Sequence, residues 1–253
     1  MKIDLSGKVA LVTGATGELG GVMARTLAEC GADVGVHFYS NQSRADELCR
    51  EIEGLGRRAV ALRADVTQQD EVLKMRDAIT EHLGAPQIIV NNAVIQYEWT
   101  SVLQQSPEDY EGQFRSCVLH NVLMAQAFLP AMIERKAGRV IAISTECAMQ
   151  NHATQSAYVS GKRGMDGVLR VLAREVGEHN ITVNQVAPGW TISEKYRASG
   201  EESQPEYERG VPLKRRGTDQ EIANAVAWLA SDLASFVTGA YLPVCGGNVM
   251  PAI

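Results

Sequence analysis

The chain has 253 residues, 45% hydrophobic and 21% charged, enough apolar material for a sizeable core, which excludes a disordered or fibrous protein. Its 30 acidic and 24 basic residues leave a net charge of −6, which repels nucleic-acid phosphate and anionic membrane. No apolar run approaches the roughly 20 residues of a membrane span, and Met1-Lys2-Ile3-Asp4-Leu5 lacks signal-peptide character. Neither nucleic acid nor a membrane is expected as a partner.

Short Val- and Ile-rich runs alternate along the chain with longer stretches of helical period, the pattern of parallel strands buried on both faces. In chain order, a strand at 9–13 precedes a helix at 19–30, a strand at 34–38 a helix at 43–54, and a strand at 59–62 a helix at 68–82. A strand at 88–91 then precedes a helix at 107–135, a strand at 140–144 a helix at 156–177, and a strand at 182–187 a helix at 219–230. A last strand lies at 241–244. Ser106 as cap, Pro107 at the first helical position and the acids Glu108 and Asp109 explain why one helix starts where it does. The expected fold is α/β: a single Rossmann-like doubly wound domain spanning 1–253, about seven parallel strands with helices on both faces. Residues 193–211 are charge-rich without apolar period and read as irregular, either a substrate lid or a solvated excursion. Cysteines 30, 49, 117, 147 and 245 are odd in number and scattered, and the five histidines show no ligand spacing. No disulfide framework or metal site is therefore expected, and a reducing cytoplasm fits best.

The first strand runs through Thr13-Gly14-Ala15-Thr16-Gly17-Glu18-Leu19-Gly20 into a helix. In that setting glycines let backbone N–H groups approach a pyrophosphate at the helix N-terminus. Asp65, after the third strand, can accept a hydrogen bond from an adenine amino group or cap the next helix. The segment Phe38-Tyr39-Ser40-Asn41 carries no acid to bind a ribose 2′-hydroxyl, whereas Ser40, Asn41 and Arg44 suit a 2′-phosphate, so the reading leans to NADP(H) over NAD(H).

Tyr158 and Lys162, four residues apart, share a helix face at a separation of about 5.4 Å. An ammonium there would favour the phenolate, bringing a tyrosine that ordinarily titrates near pH 10 toward acid/base work at neutral pH. A plain surface Tyr and Lys is the alternative. With its surroundings the pair resembles the short-chain dehydrogenase/reductase family over nearly the whole chain. The matching motifs are Gly7-Lys8-Val9-Ala10-Leu11-Val12-Thr13-Gly14, Asp65-Val66, Asn91-Asn92-Ala93, Tyr158-x-x-x-Lys162 and Asn184 with Pro188-Gly189. Val237-Thr238-Gly239 and Gly246-Gly247 are similar to the compact branch that includes 3-oxoacyl-carrier-protein reductases and sugar and steroid dehydrogenases.

The resemblance implies hydride transfer between nicotinamide and a ketone or secondary alcohol, with Tyr158 as acid/base, Lys162 lowering its pKa, and Thr145 orienting the substrate oxygen where the family usually has serine. It implies a cofactor held by Gly14, Thr16, Gly17, Leu19, Tyr39, Ser40, Asp65, Val66, Asn92, Tyr158, Lys162 and Thr191, with Asn91 bracing the sheet. It also implies a small carbonyl or alcohol substrate and a homotetramer built through the helices at 107–135 and 156–177, a dimer being the other option. Four departures stand against it: Cys117 at the family's helix-bending asparagine, Thr145, Val94 in place of glycine, and Glu18 at the middle glycine of the compact branch. They motivate the rival reading of a catalytically weak member acting as a cofactor-binding or regulatory protein. Asn121, one turn beyond Cys117, is either a substitute for it or an ordinary polar residue. Ile95, Gln96, Tyr97, Cys147, Met149, His152 and Trp190 are expected near the substrate.

Overall fold

The computed structural model describes residues 2–251. Seven parallel strands form one sheet in the order β3-β2-β1-β4-β5-β6-β7. The strands are β1 (Val9–Val12), β2 (Asp33–Phe38), β3 (Ala59–Arg63), β4 (Ile88–Asn91), β5 (Gly138–Ile143), β6 (Ile181–Pro188) and β7 (Tyr241–Val244). Each lies within two residues of its expected span.

Alternation of side chains divides the core in two. From β1, β4 and β5, Ala10, Val12, Ile88, Val90, Ile141 and Ile143 face one layer, packed by α1 (Glu18–Glu29), α2 (Gln42–Gly54) and α10 (Asp219–Ala230). Val9, Leu11, Ile89, Val140 and Ala142 face the other, packed by α3 (Gln69–His82), α5 (His120–Arg135) and α7 (Ser156–Val176). Burial on both faces is why these strands read as unbroken apolar runs.

The helix expected at 107–135 is interrupted. Ser106 caps α4 (Pro107–Gln113), its hydroxyl accepting from the Asp109 N–H at 3.2 Å. A π-helical turn at Phe114–Leu119 then leads into α5. By length and hydropathy Pro107–Arg135 is long and apolar enough to cross a membrane, which corrects the expectation that no run approaches that length. More than half of its apolar window is buried inside the protein, as in a core helix. A second correction concerns 193–211, which folds into two short helices, α8 (Glu194–Ser199) and α9 (Pro205–Gly210). Helical period is invisible there because neither helix buries a face. Between β5 and α7 lies one further turn of helix, α6 (Cys147–Gln150).

Candidate active site

The strand order changes direction between β1 and β4, and the crevice beyond the carboxyl ends of such strands is where open α/β sheets bind ligands. A cavity of about 840 Å³ lies there, lined by Gly14, Thr16, Gly17, Leu19, Tyr39, Ser40, Asp65, Val66 and Asn92 together with Val94 and Ile95. The turn that floors it is packed backbone against backbone. Gly14 has φ of 63°, and a Cβ there would come within 3.0 Å of Ala93 Cα. A Cβ on Gly20 would stand 2.1 Å from the Gly14 carbonyl oxygen. A side chain on either glycine would drive the turn apart from its own backbone or from Ala93, so only glycine allows this tight strand-to-helix turn, whose Gly14, Thr16 and Gly17 border the cavity as the site of a dinucleotide pyrophosphate requires.

Two side chains fix the turn. Asn92 Nδ2 donates to the carbonyls of Thr13 at 3.0 Å and Gly14 at 3.1 Å. The Gly14 N–H donates to His37 Nδ1 at 2.9 Å, while His37 Nε2 lies 3.0 Å from the Ala64 carbonyl and carries the proton donated to it. Burial pushes the His37 pKa down, which keeps the ring neutral and the two roles distinct. Sequence reasoning missed His37: the only signal is a polar residue in an apolar strand, and its partners lie 23 and 27 residues away.

Glu18 stands in the first turn of α1, exposed at the cavity rim, where water screens its carboxylate from the turn. Asp65 accepts from the Thr67 N–H at 2.9 Å and the Thr67 hydroxyl at 2.7 Å, closing the turn before α3, whose N-cap is Gln68. The helix-capping alternative is therefore corrected. So is the expectation for Arg44, whose guanidinium lies 2.8 Å from Glu47 and 2.7 Å from Glu51. Asn41 likewise spends its Oδ1 capping α2. Thr191 lines neither this cavity nor the next, and its carbonyl accepts from Arg216.

A second cavity, about 530 Å³, holds Thr145 and Tyr158, with Glu146, Cys147, His152, Trp190 and the aromatic side chains of Trp99, Tyr196 and Tyr207. Gln96 lines both cavities, so they adjoin. Tyr158 is held from several sides. Its N–H, unsatisfied in the first turn of α7, donates to the Tyr97 hydroxyl at 2.6 Å. Trp99 stacks on its ring at 5.9 Å, and Lys162 Nζ sits 5.8 Å from the ring centroid. Lys162 donates to the Ile143 carbonyl at 2.6 Å. Burial pushes the Tyr158 pKa well above its ordinary value, Cys147 adding to the rise, while the neighbouring Thr145 hydroxyl works in the opposite direction. Burial also pushes Lys162 down. The expected lowering of Tyr158 by the ammonium is not met in this structure, where burial dominates. Of the other residues expected near substrate, Ile95, Tyr97 and Met149 are not part of the lining: Ile95 lines the first cavity, and the Tyr97 hydroxyl is taken by the Tyr158 N–H. Trp99, Glu146, Gln150 and Gln155 were missed, although Glu146 directly follows Thr145 in the chain.

The bend associated with the asparagine missing at 117 is present. The π-helical turn includes Cys117, and Asn121 Nδ2 donates to the Cys117 carbonyl at 2.7 Å. Asn91 Nδ2 donates to Asn121 Oδ1 at 2.7 Å, tying the widened helix to β4. Asn121 therefore braces the bend.

The segment carrying α8 is anchored by Arg216. This guanidinium is 1% exposed and donates to the carbonyls of Trp190, Thr191, Glu201 and Glu202. It stacks 4.2 Å from the Tyr196 ring and 5.0 Å from that of Trp190.

A twisted parallel sheet with a glycine turn at its switch point and a Tyr–Lys pair beside it defines a dinucleotide-binding α/β oxidoreductase. Residues 14–248 match the family described as enoyl-(acyl carrier protein) reductase. A 3-oxoacyl-acyl-carrier-protein reductase of Pseudomonas aeruginosa is 36% identical over 249 residues, covering 98% of this chain and 100% of that protein. One from Staphylococcus epidermidis is 33% identical over 253 residues, covering 96% and 99%. A solved 7α-hydroxysteroid dehydrogenase, complexed with NADH and 7-oxo glycochenodeoxycholic acid, superposes with a TM-score of 0.88 at 31% identity, over 99% of this chain and 97% of that one. The chain belongs to the short-chain dehydrogenase/reductase family and is an oxidoreductase acting on C=O or CH–OH groups. NAD(P)-dependent hydride transfer is general in that family.

Proposed function

We propose that the protein moves hydride between NAD(P)(H) and a ketone or secondary alcohol, with Tyr158 as the acid/base. The observation that carries this reading is that the Thr145–Tyr158 hydroxyl pair lies in a cavity adjoining, through Gln96, the cavity of the glycine turn. When bound, the nicotinamide supplies the carbon that gives or takes the hydride. Tyr158 donates its phenolic proton to the carbonyl oxygen on reduction and recovers it from the alcohol on oxidation. Thr145 holds that oxygen and the phenol together, its added methyl restricting χ1 relative to serine. Lys162, buried behind the tyrosine and bonded to Ile143, is placed to carry charge at the ribose side.

Gly14, Thr16, Gly17 and Leu19 hold the pyrophosphate, Tyr39, Ser40, Asp65 and Val66 the adenosine, and Asn92 the nicotinamide side. Thr191 belongs to this set only through its backbone. The preference for NADP(H) is supported by the lack of an acid at Tyr39–Ser40 and receives nothing from Arg44. The chain works as one domain, with 193–211 as the lid over substrate. Exposed Phe114 and Val171, on the 107–135 and 156–177 helices, support a homotetramer or dimer, and five free thiols support a cytoplasmic location.

The test is Tyr158→Phe, which abolishes turnover while NADPH and NADH titrations followed by nicotinamide fluorescence are unchanged. Full activity in this variant sinks the mechanism. The rival reading of a weakly active, regulatory member draws on the raised Tyr158 pKa and on Lys162 being tied to a carbonyl. Reproducible Tyr158-dependent turnover excludes it.

A further inference from the structure

The second cavity contains one carboxylate and no lysine or arginine in its lining. That carboxylate, Glu146, is 3% exposed. Its Oε1 accepts from the Tyr207 hydroxyl at 2.8 Å and its Oε2 from Asn248 Nδ2 at 3.0 Å, both neutral donors. Among the described residues it makes no ion pair. Buried charges are ordinarily paired, since removing a carboxylate from water costs more than neutral hydrogen bonds return. Burial pushes the Glu146 pKa up, against the pull of its hydrogen bonds and of His152.

The cations nearby do not supply the missing partner. Arg216 spends its donors on four carbonyls behind the Trp190 ring. His152 lines the same cavity and acts electrostatically in favour of the Glu146 carboxylate, but the two make no ion pair among the described residues. Four rings, those of Trp99, Trp190, Tyr196 and Tyr207, line the cavity beside the neutral Gln96, Cys147, Gln150 and Gln155. Their π-systems are negative on the face and attract cations, as the stacking of Arg216 on two of them demonstrates.

We propose that Glu146 and this aromatic wall form a binding site for a positively charged nitrogen, so that the substrate is a short amino alcohol or the matching amino ketone. This rests on the dehydrogenase reading above. Glu146, Thr145 and Tyr158 line the same cavity of about 530 Å³, so one short molecule can carry both the cation and the reacting carbinol. The cation takes no part in the redox step. On oxidation the carbinol C–H leaves as hydride to NAD(P)⁺, the hydroxyl proton goes to Tyr158 and then to water, and the products are the amino ketone and NAD(P)H.

The test uses three secondary alcohols of one shape with the wild-type protein: (2-hydroxypropyl)trimethylammonium, its neutral isostere 4,4-dimethyl-2-pentanol, and the anion 3-hydroxybutyrate. The cation is expected to exceed both in kcat/KM by roughly tenfold or more, the size of a charge-assisted, ring-faced contact. Glu146→Gln should erase most of that advantage through KM while leaving NAD(P)H affinity unchanged. Tetramethylammonium chloride, which cannot react, should quench tryptophan fluorescence saturably where sodium chloride does not. Should Glu146→Gln fail to fold, the wild-type ratio and the quenching decide alone. Equal or better turnover of the neutral or anionic alcohol overturns the proposal and leaves the hydride-transfer reading standing. Saturable tetramethylammonium binding without turnover of any alcohol supports the cation site and sinks the dehydrogenase reading. Absence of both overturns the two together.

Discussion

Replacing Arg216 by methionine removes a cation that is buried without a carboxylate partner among the described residues. Its four acceptors, the carbonyls of Trp190, Thr191, Glu201 and Glu202 at 2.9–3.1 Å, come from both ends of the 190–202 stretch. Each carbonyl left dry costs about 1–3 kcal/mol, and the stacking on Tyr196 and Trp190 adds up to about 2 kcal/mol. These costs are not additive, and the variant is relieved of desolvating a guanidinium. A net loss of about 3–5 kcal/mol is expected, the range for removing one partner of a buried charged contact. In a protein of this size that corresponds to a fall in Tm of roughly 10 °C. If the segment detaches while the sheet stays folded, the loss shows instead as cleavage at α8–α9 in limited proteolysis, with reddened Trp190 emission. Arg216→Lys keeps the charge but cannot span four carbonyls or stack as a plane, so it recovers only part of the loss. A methionine variant with wild-type Tm, proteolysis and emission would refute the view of Arg216 as the anchor of this segment.

Gly20→Ala forces a Cβ against backbone atoms of Gly14 and Ala15 that cannot rotate away, and overpacking of this kind costs about 1–3 kcal/mol. The turn must shift, and NAD(P)H affinity should drop at least tenfold by titration calorimetry; an unchanged Kd would mean that the turn does not hold the cofactor. Arg44→Ala should leave the ratio of NADPH to NADH affinity unaltered, because its guanidinium is spent on Glu47 and Glu51; a preferential loss of NADPH would place it at the 2′-phosphate after all. Stability should fall as pH drops from 7 to 5. Burial lowers the pKa of His37, and that of His120 to about 3, both below the unfolded value, so the unfolded chain binds more protons and acid favours it. For His120 alone, the interval from about 6.5 to pH 5 is worth about 2 kcal/mol. Glu146, raised by burial, contributes with the opposite sign. Urea midpoints measured at pH 7, 6 and 5 give the profile, and a flat one would show that the histidines are protonated or accessible in the folded state.

Neutral His37 does more than fill the core. It joins the first turn to the end of β3 through Gly14 and Ala64, so two sides of the first cavity are set by one ring. Asn92 performs the same service from β4.

The elements themselves could be read from the sequence, because helix and strand periods and capping residues act within windows of a few residues. The glycine turn and the spacing of Tyr158 and Lys162 are local in the same sense. What could not be read is whatever depends on a distant partner. Arg44 is the local exception: its partners Glu47 and Glu51 sit on the same helix, and only their ion pairs show that the cation is taken. The sequence places an ammonium beside Tyr158, yet burial reverses the expected shift of the phenol and Lys162 turns to the Ile143 carbonyl. The partners of Glu146 lie 61 and 102 residues away, so neither the substrate wall nor its unpaired charge is visible along the chain. Local propensity determined where the backbone turns; desolvation and the choice of hydrogen-bond partners, which exist only once the chain is packed, decided what each polar group there does.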